Sequence, residues 1–237
     1  MILAVVTLLF MAGAVPGRLE IPAAHPLENS TATGLLQLEQ KSLSGLFYVP
    51  RTYHPNERLP LLILLHGGGR RPSDWFGSYS RRADAGRFII VAPESYSQTW
   101  GSSANFGPDI SRINSALAFV FSRYAIDRDR IIIGGVSDGA SYALSLGLVN
   151  GDRIRGVIAF SPGFIVGREA RGHPSFFISH GSRDPELPVG QTRVFVALLR
   201  SAGYSVDYHE FNGVHEVPST ISDAAMVWAA GIFKKKR

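Results

Sequence analysis

The chain has 237 residues, no cysteine, 45% hydrophobic and 18% charged residues, and a formal charge of +5. That length suits one α/β domain with a sizeable core, and the composition excludes a disordered chain or a polytopic membrane protein; the missing thiols exclude disulfides, thiolate metal sites and a cysteine nucleophile. The charge is largely a tail, because Lys234 to Arg237 are all cationic and the rest of the chain carries only +1, so no basic surface for nucleic acid is expected.

Ile2 to Val15 is almost wholly apolar and ends in Ala12-Gly13-Ala14. Residues 1–15 therefore read as a signal peptide or an apolar leader, although no Lys or Arg precedes the run. The run is too short for a stable membrane span, which needs about 20 apolar residues. A cleaved signal implies a secreted or periplasmic protein, and a leader that merely packs implies a cytoplasmic one. Residues 16–34 mix Pro, Ala, Ser, Asn and Thr without a period and read as a linker or an extended entry segment. The folded domain is expected over 35–237.

Leu35–Lys41 and Gly45–Val49 flank Ser42-Leu43-Ser44 and predict an initial hairpin. Leu61–Leu65 is solidly apolar, as in a strand buried on both faces. Phe88–Ala92 repeats that character. Glu94–Gly107 is the longest irregular stretch, rich in Ser, Tyr, Trp and Gly, and long loops in compact domains are often functional. Helical spacing over Ile110–Tyr124 follows, with Asp109 placed as its cap after Pro108. The remaining strands are Ile131–Ile133, Gly156–Phe160, Phe176–Ser179 and Tyr204–Phe211. Between and after them, Ala140–Val149, Val189–Ala202 and Ser219–Phe233 read as helices. This alternation predicts an α/β fold with a mostly parallel sheet flanked by helices. No repeat, second domain or insertion large enough for a lid is visible.

Gly135-Val136-Ser137-Asp138-Gly139 matches G-x-S-x-G between an apolar strand and a small-residue helix. That context is what a nucleophile elbow requires, because its sharp turn leaves no room for bulk beside the serine. The turn lifts the Ser137 hydroxyl to the N-terminus of the next helix, where free N–H groups favour negative charge. His66-Gly67-Gly68-Gly69 follows the strand Leu61–Leu65 and can offer N–H groups to an oxyanion. Gly68 is the expected first donor, with Gly69 as its rival, and the N–H of Asp138 is the second. His66 reads as a structural brace of this loop. No Gly-Lys-Ser/Thr follows, so a phosphate-binding loop is disfavoured.

An elbow serine needs an acid and then a histidine later in the chain. Asp184 follows the strand Phe176–Ser179, and His215 follows Tyr204–Phe211, so both fall at strand C-terminal ends with Ser137. His215 is expected to take the Ser137 proton, and Asp184 to hold the His215 tautomer. Glu186 is the other candidate acid. Asp207, His209 and His173 lie in a strand or a polar turn, and His180 reads as a structural partner at a strand end. Trp100 and Phe164 are the expected substrate-binding residues, unless they only pack their loops onto the core.

The segments LLILLHGGG, GGVSDGASYALSLGLVNGDRIRGVIAFSPGF, ISHGSRDPELPV and EFNGVHEVP resemble the phospholipase/carboxylesterase branch of the α/β-hydrolase superfamily. They are also similar to polyhydroxybutyrate-depolymerase-like and feruloyl-esterase-like proteins. The resemblance runs from about Gly45 to the C-terminus. It implies a serine esterase that cleaves small or soluble carboxylic esters through an acyl-enzyme, without metal or cofactor. Alternatives are an exported feruloyl or acetyl-xylan esterase or polyester depolymerase, and a catalytically silent hydrolase fold used for binding. Many relatives carry an apolar residue where this chain has Gly68, which implies extra room on the acyl side of the pocket.

Overall fold

Apolar runs laid side by side form the middle of one eight-stranded sheet in the computed structural model, which describes residues 16–23, 26–39, 43–101, 106–166 and 169–234. The leader at 1–15 and the last three residues of the cationic tail lie outside the described residues. In chain order the elements are β1 (Gly34–Gln37), β2 (Gly45–Val49), β3 (Leu59–Leu65), α1 (Ser73–Gly86) and β4 (Ile89–Pro93). They continue with α2 (Asp109–Arg123), β5 (Ile126–Val136), α3 (Asp138–Val149), β6 (Gly156–Phe160), β7 (Ser175–Gly181), α4 (Val189–Ser201), β8 (Val206–Phe211) and α5 (Ser219–Ile232). The sheet order is β1-β2-β4-β3-β5-β6-β7-β8. β1 pairs antiparallel with β2, and β2 with β4; every later pairing is parallel.

Because a strand alternates its side chains between faces, each central strand feeds two cores. Leu61, Ile63, Ile131, Ile133 and Val157 pack with residues of α2, α3 and α4 on one face. Leu62, Leu64, Ile132, Ile158 and Phe177 pack with α1 and α5 on the other. Every residue of β3, β4 and β6 is buried, which explains why these strands read as unbroken apolar runs. α3 is buried on nearly all sides, between the sheet and the loop that follows β6, and its small residues permit that closeness.

The sequence pattern missed α1. Its buried residues Trp75, Phe76, Tyr79 and Ala83 do recur at helical spacing. The glycines at 77 and 86 and the clustered arginines obscured that stripe. The helix stops where Arg87 takes a left-handed conformation (φ 54°) and donates its N–H to Ala83 O. Asp109 is also corrected. It opens α2 but makes no capping bond; its carboxylate instead accepts from the N–H groups of Tyr96 (2.6 Å) and Gly101 (2.8 Å). It therefore folds the Tyr96 to Gly101 part of the loop back onto the helix.

The stretch read as a linker or entry segment is docked at its beginning. Leu19 is fully buried, and its N–H donates to Asn150 Oδ1 at 2.9 Å. Arg18 forks onto both carboxylate oxygens of Asp152 and also reaches Val149 O. No helix among the described residues is long and apolar enough to cross a membrane.

Candidate active site

Four chain segments emerge at the C-terminal edge of the parallel strands: the glycine loop after β3, Ser137 after β5, the Asp184 turn after β7 and His215 after β8. Ser137 has φ 57° and ψ −120°, a conformation that costs a non-glycine residue about 1–3 kcal/mol and tends to mark functional turns. The surroundings enforce it. Ser137 N–H donates to Phe160 O at 2.8 Å, while its carbonyl receives the N–H of Ser141 at 3.0 Å. A Cβ on Gly135 would sit 2.5 Å from the Gly139 carbonyl, and a Cβ on Gly139 would strike the carbonyls of Leu65 and His66. The two glycines of the motif are thus required by contact between the elbow and the end of β3.

Asp184 and His215, 31 residues apart, meet directly. His215 Nδ1 lies 2.6 Å from Asp184 Oδ2. The other oxygen, Oδ1, accepts the backbone N–H groups of Glu186 and Leu187, each at 2.9 Å. The Asp184 side chain has no exposed surface. Burial pushes its pKa up, but the Leu187 N–H, His215 and the Glu186 N–H outweigh this and hold it below the usual carboxylate range. Asp184 therefore stays ionised and fixes the imidazole with Nδ1–H toward itself and Nε2 outward. Glu186 cannot take this part: its carboxylate lies 3.9 Å from Nε2, the opposite nitrogen, and is largely exposed.

The glycine loop is braced as expected. His66 is buried, its Nε2 accepts the Ser95 N–H at 3.2 Å and its Nδ1 faces Gly67 O at 2.8 Å. Gly69, the rival oxyanion donor, has its N–H engaged by Gln98 O at 2.7 Å. Gly68 lies directly over Asp138, since a Cβ there would be 2.8 Å from Asp138 Oδ2. The N–H of Asp138 belongs to the first turn of α3 and has no acceptor within the helix. The Gly68 backbone thus lies against the Asp138 side chain. The extra room expected at Gly68 is not present, because the Asp138 carboxylate and its hydroxyl partner Thr99 fill it.

A cavity of about 310 Å³ opens over the elbow, lined by Ser137, His215, Gly67 and Gly68, with the rings of Trp75 and Tyr79 from α1 and with Val136 and Val217. Arg70, Asp74, Glu186 and Glu216 stand around it. Burial raises the Tyr79 hydroxyl to about 12, so it stays neutral. Neither expected substrate-binding residue lines this cavity. Trp100 is buried beneath the glycine loop, where its Nε1–H donates to His66 O at 2.7 Å and its ring packs on Tyr142. Phe164 is half-buried in the loop after β6, its N–H directed at Ser141 Oγ. Trp100 serves as a brace, and the α3 hydroxyls hold the Phe164 loop by its backbone. The aromatic wall comes from α1, whose Trp75–Tyr79 spacing was the available signal.

Residues 109–226 match the family model described as Phospholipase/Carboxylesterase. Acyl-protein thioesterase 1 of Gibberella zeae is 24% identical over 95 residues, 36% of this chain and 40% of that protein. Its namesake from Neurospora crassa is 31% identical over 98 residues, 38% of this chain and 40% of that protein. The matched segment thus spans well under half the length of these curated relatives. Among solved structures, esterase PE8 superposes with a TM-score of 0.68 at 20% identity, covering 80% of this chain and 99% of PE8. With the sheet order, the flanking helices and the matched segment in agreement, the chain is an α/β-hydrolase of the phospholipase/carboxylesterase branch, a family of carboxylesterase- and thioesterase-type enzymes.

Proposed function

We propose that the chain is a serine hydrolase of small or soluble carboxylic esters, with Ser137 as nucleophile, His215 as general base and acid, and Asp184 as the group that orients His215. The observation that carries this reading is that a strained elbow serine and an aspartate-held histidine line one cavity. Ser137 Oγ attacks the ester carbonyl carbon while its proton passes to His215 Nε2. The carbonyl oxygen becomes an oxyanion facing the N–H groups of Gly68 and Asp138. Collapse breaks the bond to the alcohol oxygen, which takes the proton from Nε2, and leaves an acyl-Ser137 ester. Water then repeats the sequence: it gives a proton to Nε2, attacks the acyl carbon and releases the acid as Ser137 regains its proton.

A cavity of about 310 Å³ lies at the small end of ligand sites, which supports short or single-ring acyl groups over long chains. The thioester reading shares every step except the leaving atom, and the sequence relatives named acyl-protein thioesterases favour including it. The test is hydrolysis of p-nitrophenyl acetate through palmitate and of an acetyl thioester, with Ser137→Ala alongside. Activity on short chains should fall about 10⁴-fold or more in the variant. A variant that keeps most of the activity would overturn the mechanism. Failure of the folded wild type to react with a fluorophosphonate would favour a silent fold.

A further inference from the structure

His180 is completely buried, four residues before Asp184 at the end of β7, and the proposed mechanism gives it no task. Its ring joins three parts of the structure. Nε2 lies 3.1 Å from Asp184 Oδ2 and 2.9 Å from the carbonyl of Leu187 in the same turn. Nδ1 lies 2.8 Å from the Thr192 hydroxyl on α4. That hydroxyl is 3.2 Å from Pro162 O in the loop after β6.

The partners decide where the proton sits. Both neighbours of Nε2 are acceptors, a carboxylate and a carbonyl, so a bare Nε2 would face two lone pairs in a dry interior. Nε2 must therefore carry hydrogen. Nδ1 meets the Thr192 hydroxyl, whose own hydrogen is directed at Pro162 O, so the ring ties the acid turn to α4 and to the loop after β6.

Asp184 can accept about four hydrogen bonds, two on each oxygen. Oδ1 takes the N–H groups of Glu186 and Leu187. Oδ2 takes His215 Nδ1, and His180 Nε2 lies 3.1 Å from it while its hydrogen bond goes to Leu187 O. Leu187 is therefore held at both ends, its carbonyl by His180 and its N–H on Asp184 Oδ1. Fixing this residue keeps the turn, and with it the carboxylate, aimed at His215.

We infer that His180 is a positioning residue of the catalytic acid: its Nε2–H holds the Leu187 carbonyl of the turn that grips Asp184 and, through Thr192, anchors that turn to helix α4. The inference rests on the triad proposed above. It predicts that His180→Leu lowers kcat about tenfold, as expected when a buried hydrogen bond is lost and the Leu187 carbonyl is left unpaired. KM stays unchanged, because His180 lies outside the substrate cavity. His180→Gln restores an N–H donor near Nε2 and should recover most of kcat, which a purely space-filling role would not require. Thr192→Val leaves the bond to the Leu187 carbonyl in place and should cost less than His180→Leu.

A second measurement needs no activity. Long-range ¹H–¹⁵N spectra of the labelled wild-type protein report which nitrogen of His180 carries hydrogen, and Nε2–H is expected. A bare Nε2 overturns the inference, as does a folded His180→Leu variant with wild-type kcat. Should His180→Leu fail to fold, the Gln variant and the spectrum still decide. If instead Ser137→Ala remains active, the triad reading fails, and the His180 proton is still read independently.

Discussion

Replacing Gly135 with alanine puts a methyl group where the elbow has no room. The new Cβ would lie 2.5 Å from both the carbonyl carbon and oxygen of Gly139, and 2.8 Å from Leu65 O. Ordinary contact begins at 3.4 Å, so the first turn of α3 and the end of β3 must separate by about 0.9 Å. All three obstructing atoms are backbone, and none can swing aside. Overpacking costs about 1–3 kcal/mol, and this site belongs at the upper end. For a chain of this length, about 3 kcal/mol lowers Tm by roughly 6–12 °C. The displaced parts are those that carry Ser137, the Asp138 N–H and the glycine loop. A shift near 1 Å in a reacting constellation can cost about 100-fold in rate. The assay is thermal unfolding by circular dichroism together with kcat/KM on p-nitrophenyl acetate. A Gly135→Ala protein with wild-type Tm and wild-type kcat/KM would refute the claim that backbone contact between β3 and α3 sets the site.

Gly77 is the opposite case: it is exposed in the middle of α1, and an added Cβ meets nothing within 4 Å. Gly77→Ala should raise stability by about 0.5–1 kcal/mol in urea unfolding and leave kcat/KM unchanged. Asp184→Asn should lower kcat about 10⁴-fold, as expected when the histidine loses the acceptor that sets its tautomer. The same variant tests acid stability. The folded pKa of Asp184 lies below its unfolded value, so its contribution is fully present above about pH 4 and fades as pH falls through the folded pKa. Urea unfolding at pH 5 and pH 3 should therefore show a steeper loss in wild type than in Asp184→Asn, and equal losses would contradict the assignment. Leu19→Ala should cost about 2–5 kcal/mol, the usual range for emptying a buried leucine site; a negligible change would mean the entry segment adds nothing to the fold.

Much of the fold was legible because its signals are local. Both-faces-buried strands show as apolar runs, as at Leu61–Leu65 and Gly156–Phe160. G-x-S-x-G marks a sharp turn because bulk cannot fit there. Chain order then picks out Asp184 and His215 at later strand ends. What stayed hidden depends on partners far away in sequence. Trp100 and Phe164 looked like pocket walls because aromatic residues in a loop carry no mark of direction. The Asp109 carboxylate reads as a cap from its position alone, although its acceptors' donors lie eight and 13 residues upstream. α1 escaped because glycines and arginines diluted its stripe, and with it went the Trp75–Tyr79 wall.

The sequence by itself determined the order of the strands and of every helix but α1, the elbow at Ser137 and the candidate acid and base at strand ends, since turn chemistry and burial period are written along the chain. Only the tertiary structure decided which rings face the cavity, that Gly69 is engaged by Gln98, that Glu186 meets the wrong nitrogen, and that His180 bonds the Leu187 carbonyl beside Asp184. Those facts follow from sheet order and from which face each element presents. Hydrogen bonds and steric contact act across space, so residues distant along the chain settle them together.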